Sequence, residues 1–446
     1  MANITLKQAA VWCGGSVDEQ YENLEFAGAC CNPEVLQPGQ LFVALQGSRD
    51  GHDFIPAAME KGAAALLCSR KVGEYPAICV DDPRIALGKI ARGACRELGM
   101  QVVAVTGSVG KSTTKEMIAS VLQQKYIVSK TPDNCSRDIG IPMAMLAMPR
   151  ETEVAVLEMP MNHLREIASL LRTADPDVAV IVNIGSMHMD PPDSRQAKTE
   201  ILEALSPEGK LLLNADDDML NELPGESSRA VTYFGTGEGA SVRAVDPVQR
   251  RESLTFRVEA GELRFPVELA LVGDHFIPDA LAAVGVGIQL GLTPEQIREG
   301  LASFRNVAGR QEIYIAGEYT IIRDCCSAGP ESMEAALKVL SRHPGRRIAV
   351  LGDMPELGDR TQAEHYRIGR IAAEKADMVF AYGPNAKRIL SGSITGGMPD
   401  AKAQAFTDRD ICASALRRAA RPGDTILFKG GCDMHMELIL EAFLAE

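Results

Sequence analysis

Short apolar runs alternate with amphipathic stretches along most of this chain. Val102-Val-Ala-Val-Thr106, Val154-Ala-Val-Leu157, Val178-Ala-Val-Ile-Val182 and Lys210-Leu-Leu-Leu213 are apolar on both faces. Such runs read as strands of a parallel sheet covered by helices on both sides. Helical periodicity between them predicts helices over 84–98, 111–124, 163–172 and 194–204. The rhythm changes at 230–270. There Val231-Thr-Tyr-Phe, Ser241-Val-Arg-Ala and Leu254-Thr-Phe-Arg-Val predict a small antiparallel insert before a helix starting near Pro278. Ahead of the central alternation, 40–46, 63–68 and 77–80 predict strands and 55–62 a helix, closed by the turn Asp81-Asp82-Pro83. Beyond Gly309, strands are expected at 319–323, 347–351, 378–382 and 424–428, with helices at 331–341, 361–375, 384–390 and 408–420. The reading is α/β throughout, in units 1–85, 86–308 and 309–446.

Composition narrows the function. Of the 446 residues, 46% are hydrophobic and 24% charged, which excludes disorder as the overall state. Asp plus Glu (60) exceeds Lys plus Arg (46), a net charge of −14. That argues against a nucleic-acid-binding face and leaves room for a local basic pocket. No apolar run approaches the roughly 18 residues of a membrane span, so no integral membrane segment is expected. The opening MANITLKQAAVWCGG lacks a cationic start followed by an apolar stretch. A cytoplasmic protein is expected. The 11 cysteines include no CxxC pair and read as reduced thiols.

The strongest chemical signal follows the first central strand: Thr106-Gly107-Ser108-Val109-Gly110-Lys111-Ser112-Thr113-Thr114. An apolar strand entering a glycine-bounded loop at a helix start makes an anion cradle. Lys111 reaches terminal phosphates, and a hydroxyl of Ser112 or Thr113 suits Mg²⁺. Three polar residues follow at or beyond strand ends of the same predicted sheet, where α/β folds bind ligands. They are Glu158, His188 and Lys198.

These residues resemble the Mur ligases of peptidoglycan synthesis. The likeness spans nearly the whole chain. It rests on Pro38-Gly-Gln-Leu-Phe-Val-Ala-Leu, Asp50-Gly-His52, the stretch Thr106 to Met117, Asn134 with Ile139-Gly-Ile-Pro, Glu158-Met, Asn162-His, Ile184-Gly with His188, and Lys198-Thr-Glu-Ile. It continues through Leu213-Asn-Ala-Asp-Asp, Gly273-Asp-His275, Gly309-Arg310, Asp324, Leu351-Gly-Asp-Met-Pro-Glu-Leu-Gly358 and Lys429-Gly430.

The resemblance implies a three-domain architecture with a central phosphate-loop sheet and a Rossmann-like third domain. It implies an ADP-forming ligase that joins D-alanyl-D-alanine to UDP-N-acetylmuramoyl-tripeptide through an acyl phosphate, acting as a monomer on small molecules. Lys111, His188 and Lys198 are the implied catalytic set. Residues 107–113, His275, Arg310 and Asp324 are implied to hold ATP. Ser112, Glu158, His188 and a carbamylated Lys198 are implied to hold two Mg²⁺, and Asp50, His52, Asn134 and Lys429 to meet substrate. The chain departs from the family pattern at Asn32-Pro33-Glu34, at Asn134-Cys-Ser136-Arg137-Asp138, at Cys326-Ser327-Ala-Gly329 and at Gly431-Cys432. It also carries Phe276 and Asp279 where the family has the asparagines of GxHNxxN, predicting weaker discrimination of the nucleotide base. The competing readings are a ligase of this type with another donor or acceptor, and a non-catalytic nucleotide-binding relative.

Overall fold

The computed structural model describes residues 3–132, 139–160, 164–184, 204–206, 208–221 and 231–445. A short antiparallel pair, β1 (Ile4–Thr5) and β2 (Glu25–Phe26), opens the chain. Four parallel strands follow in spatial order: β3 (Ala29–Cys30), β4 (Leu41–Val43), β5 (Ala65–Cys68) and β6 (Ala77–Cys79). Every position of β4 and β5 is buried, as strands covered on both faces require.

The turn at Asp82-Pro83 starts a helix, Pro83–Glu97. The Asp82 carboxylate accepts the Arg84 N–H, and Pro83 sits where no N–H is needed. One cluster of buried residues runs from Ile4 through Val43, Leu67 and Leu87 to Val102 and Leu213.

The central sheet has nine strands: β7 (Gln101–Thr106), β8 (Val128–Lys130), β9 (Val154–Glu158), β10 (Val178–Ile181), β11 (Lys210–Asn214), β12 (Val231–Gly235), β13 (Val242–Gln249), β14 (Leu254–Ala260) and β15 (Leu263–Leu269). Their spatial order is β15-β14-β13-β12-β11-β10-β7-β9-β8. From β8 to β13 every neighbouring pair is parallel.

This corrects the expected insert. β12 pairs in register with β11 from Val231↔Leu211 onward, and β13 joins β12 at Phe234↔Val242 and Gly235↔Arg243. Both strands therefore extend the parallel sheet. The link between them is too short for a covered crossover, so the two run alongside each other only over those last positions.

The final sheet has six strands: β16 (Glu312–Ala316), β17 (Tyr319–Asp324), β18 (Arg347–Leu351), β19 (Met378–Tyr382), β20 (Ala403–Phe406) and β21 (Thr425–Lys429). The order is β16-β17-β21-β18-β19-β20. Only the edge strand β16 runs antiparallel to its neighbour. The described chain divides into two compact units. One holds residues 1–246, 256–267 and 277–303, and the other 247–255, 268–276 and 304–446. Among the described residues, no helix is long and apolar enough to cross a membrane.

Candidate active site

β7 ends at Thr106, and the chain turns through Gly107 to Gly110 into the helix Lys111–Leu122. Gly107 (φ +153°) and Gly110 (φ +85°) hold backbone that other residues rarely adopt. A Cβ on Gly110 would lie 2.8 Å from Asp279 Oδ1, and one on Gly107 3.2 Å from the backbone N and O of Asn183. Asn183, just past β10, grips the loop. Its Oδ1 accepts the Val109 N–H at 3.0 Å, its Nδ2 donates to Val109 O at 2.8 Å, and its carbonyl accepts the Ser108 N–H at 3.2 Å. The amides of Ser108 and Val109 are thus engaged by the neighbouring strand end. At the helix start that follows, the dipole favours negative charge.

The first helical turn is polar and inward. Ser112, Thr113, Thr114 and Lys115 are all buried. Lys111 Nζ donates to Gly107 O (2.7 Å) and Ser108 O (3.1 Å). Ser112 Oγ donates to Glu158 Oε1 at 2.9 Å, joining the helix to the end of β9. A hydroxyl and a carboxylate oxygen side by side form a hard-oxygen donor pair of the kind Mg²⁺ takes. Thr114 Oγ1 donates to the buried Asp279 at 2.7 Å. Asp279, on the helix Phe276–Gln289, therefore braces the first turn of the helix that follows the loop. Thr113 completes the buried turn.

A second cluster lies in the other unit. Lys429, at the end of β21, is opposite Asp324 on β17. Its Nζ lies 2.9 Å from Asp324 Oδ2 and donates to Ser327 O at 3.1 Å. Both partners of this ion pair are buried. Arg310 Nη1 donates to Ser327 Oγ at 3.3 Å, and Gln311 N–H reaches Asp324 Oδ1 at 3.3 Å. Burial lowers the His275 pKa to about 4; Asp324 opposes that shift and Lys429 adds to it. The His275 ring rests on Phe276, centroids 4.2 Å apart. Four residues singled out in the sequence, His275, Arg310, Asp324 and Lys429, are thereby gathered around Ser327 and Gln311, which were not.

In the first unit, Asp50 Oδ1 accepts from the backbone N–H of His52 (3.0 Å) and contacts its Nδ1 (2.7 Å), while Arg70 holds Oδ2 at 2.8 Å. Those bonds, the His52 amide first, keep the Asp50 carboxyl well below the usual carboxylate range. The Ser69 N–H donates to His52 Nε2 at 3.3 Å, which assigns the imidazole proton to Nδ1, facing Asp50. Arg70 also lines a cavity of about 700 Å³ with Ser16, Ser69, Lys71, Asp82 and Lys89.

Asn134, His188 and Lys198 lie outside the described residues. Among the described residues, no three His, Cys, Asp or Glu side chains converge as a metal site. The residues that sequence reasoning missed are Lys115, Thr131, Asn183, Gln311 and Ser327. Lys115 falls one turn after Lys111, but a lysine on a helix ordinarily faces water, and packing alone turns this one inward.

Comparison with known proteins gives this arrangement a family. Residues 105–287 match the Mur ligase middle domain, and 309–432 the Mur ligase glutamate ligase domain. The UDP-N-acetylmuramoyl-tripeptide–D-alanyl-D-alanine ligase of Bacillus subtilis (strain 168) is 37% identical, over 99% of this chain and 98% of its own length. The chain belongs to the Mur ligase family. The similarly named ligase of Escherichia coli (strain K12) is 33% identical over 99% of the chain and 98% of its own. Among solved structures, MurF from Acinetobacter baumannii superposes with a TM-score of 0.90 at 29% identity, covering all of both chains. MurF ligase from Thermotoga maritima in complex with ADP superposes with a TM-score of 0.81 at 31% identity, over 94% of this chain and 97% of that one. The α/β architecture with parallel sheets, expected from the sequence, is that of these Mur ligases.

Proposed function

We propose that this Mur ligase joins D-alanyl-D-alanine to UDP-N-acetylmuramoyl-tripeptide in an ATP-dependent, ADP-forming step of peptidoglycan precursor synthesis. The observation that carries the reading is the match to the Bacillus subtilis ligase of that name over 99% of the chain. The ADP-bound relative supports an adenine nucleotide as the phosphoryl donor. A carboxylate is a poor electrophile until it carries a leaving group. The tripeptide's terminal carboxylate takes the γ-phosphoryl of ATP, and the amine of D-alanyl-D-alanine then displaces phosphate from the acyl phosphate. ADP and phosphate leave, and one peptide bond has formed.

Gly107 and Gly110 keep side chains out of the phosphate path. Lys111 exchanges its two carbonyl acceptors for phosphate oxygens and offsets their charge. Ser112 and Glu158 would hold Mg²⁺, which when bound neutralises phosphate charge. His188 and a carbamylated Lys198 complete the metal side for two ions. His275, Arg310 and Asp324 contact nucleotide, and Asn134, Asp50, His52 and Lys429 serve the peptide substrates. The cavity beside Arg70 and Asp50 suits the UDP end of the donor. Residues 1–85 form the donor-binding domain, 86–308 the ATP-binding domain and 309–446 the closing domain. The enzyme works as a cytoplasmic monomer.

A panel of UDP-muramoyl peptides and D-amino-acid dipeptides tests this. ADP release should require both the tripeptide donor and D-alanyl-D-alanine. Turnover only with another donor or acceptor would reassign the substrate, and no ADP release with any pair would sink the enzyme reading.

A further inference from the structure

Lys115, one turn beyond Lys111 on the helix that follows the phosphate loop, has no task in that mechanism. Its side chain is wholly buried, which is costly for an ammonium unless its charge and its protons are matched. They are. Nζ lies 3.4 Å from Glu158 Oε2 and 3.5 Å from Glu116 Oε1, and it donates to Thr131 O at 3.1 Å. Thr131 also touches Glu158 directly, since its Oγ1 accepts the Glu158 N–H at 2.9 Å. Thr131 follows β8, and Glu158 ends β9. Lys115 thus ties three elements together at the residue that faces Ser112.

The two carboxylate oxygens of Glu158 are divided by this arrangement. Oε1 faces the Ser112 hydroxyl at 2.9 Å, and Oε2 faces Lys115. A carboxylate held on one oxygen has a fixed lone-pair direction on the other. We propose that Lys115 is a positioning residue: it anchors Glu158 through Oε2, so that Oε1 is presented beside Ser112 as a single-oxygen ligand for the divalent cation of the nucleotide complex. The proposal rests on the reading of Glu158 as a metal ligand. Lys115 itself touches neither metal nor nucleotide.

The test measures linkage between Mg²⁺ and ADP binding, which needs no turnover. ADP affinity is titrated by calorimetry at increasing Mg²⁺ in the wild type, Lys115→Met, Glu158→Gln and the double variant. Partners that orient metal ligands are worth about 10- to 100-fold in metal affinity. Lys115→Met should therefore raise the Mg²⁺ concentration needed to tighten ADP by about tenfold or more, with ADP affinity in EDTA unchanged. In the Glu158→Gln background the same change should add nothing. A folded Lys115→Met protein with wild-type linkage, or equal effects in both backgrounds, overturns the proposal. Wild-type linkage in Glu158→Gln would instead sink the metal-ligand reading. Should Lys115→Met not fold, a crystal structure of the wild type with ADP and Mn²⁺ decides the matter. Mn²⁺ on Oε1 with Lys115 still on Oε2 supports the proposal, and Lys115 swung away from Glu158 refutes it.

Discussion

Two buried lysines, one in each compact unit, solve the same electrostatic problem in opposite ways. Lys115 has partners from sequence neighbours and adjacent strand ends: Glu116 beside it, Thr131 and Glu158. Lys429 depends on one carboxylate, Asp324, contributed by a strand 105 positions earlier, plus the carbonyl of Ser327. The first charge is shared among several acceptors and belongs to a local motif. The second exists only once β17 and β21 have paired. A shared charge should tolerate loss of one partner, whereas a two-body pair should fail as a unit.

Lys429→Met tests this most harshly. It leaves Asp324 buried without its cation, and stability should fall by about 3–5 kcal/mol, read from the denaturant midpoint. Replacing both, as Lys429→Met with Asp324→Leu, should recover most of that loss. A single variant as stable as wild type would mean that Asp324 finds another cation.

Lys111→Ala breaks the central region through chemistry, with the fold intact. Its ammonium serves phosphates, and removing one preorganised charge contact costs on the order of 10²–10³ in rate. Turnover near wild type with an unchanged melting curve would remove the phosphate loop from catalysis.

His275 distinguishes the Lys429 cluster by pH. Its folded pKa, about 4, lies below the ordinary 6.5, so the unfolded chain takes up a proton before the folded one does. The neutral imidazole's contribution is complete above pH 6.5 and is lost as pH falls toward 4. The loss is roughly 3 kcal/mol from the size of that shift. His275→Gln should flatten this part of the stability–pH curve. Parallel curves for the two proteins between pH 6.5 and 4 would contradict it.

The smallest expected effect falls on the shared network. Thr131→Val removes the acceptor for the Glu158 N–H and should cost about 1–3 kcal/mol, while Thr131→Ser should stay close to wild type. A larger loss than that of Lys429→Met would invert the comparison.

The same contrast explains what could be read from residue order. The phosphate loop was legible because strand, glycines, lysine and hydroxyls are contiguous, and their spacing alone fixes the geometry. Glu158 was legible as a polar residue ending an apolar run. Lys115 was not, because a lysine on a helix ordinarily points to water and only tertiary packing turns it inward. Ser327 (φ +62°) and Gln311 (φ +45°) adopt backbone usually left to glycine, so nothing in their identity marks the turns they make. The bond that Asp279 makes was hidden for a related reason. A family pattern assigns a position, but the Thr114 hydroxyl 165 residues away decides what the carboxylate does there. Parallel pairing of β12 and β13 was hidden by the short link, which resembles that of a hairpin.

The strand order of the last sheet bears on synthesis. β21 follows every other strand in the chain yet lies between β17 and β18. Until residues 425–429 have left the ribosome, β17 and β18 have no common neighbour, and each presents an open row of backbone N–H and C=O groups. A sheet closed by its last strand cannot fold progressively from its N-terminal side. Its edges stay available to mispairing throughout translation, and only the final segment protects them. The Asp324–Lys429 pair forms in that same event, so completion of the sheet and burial of its one strongly paired ammonium are a single, late step.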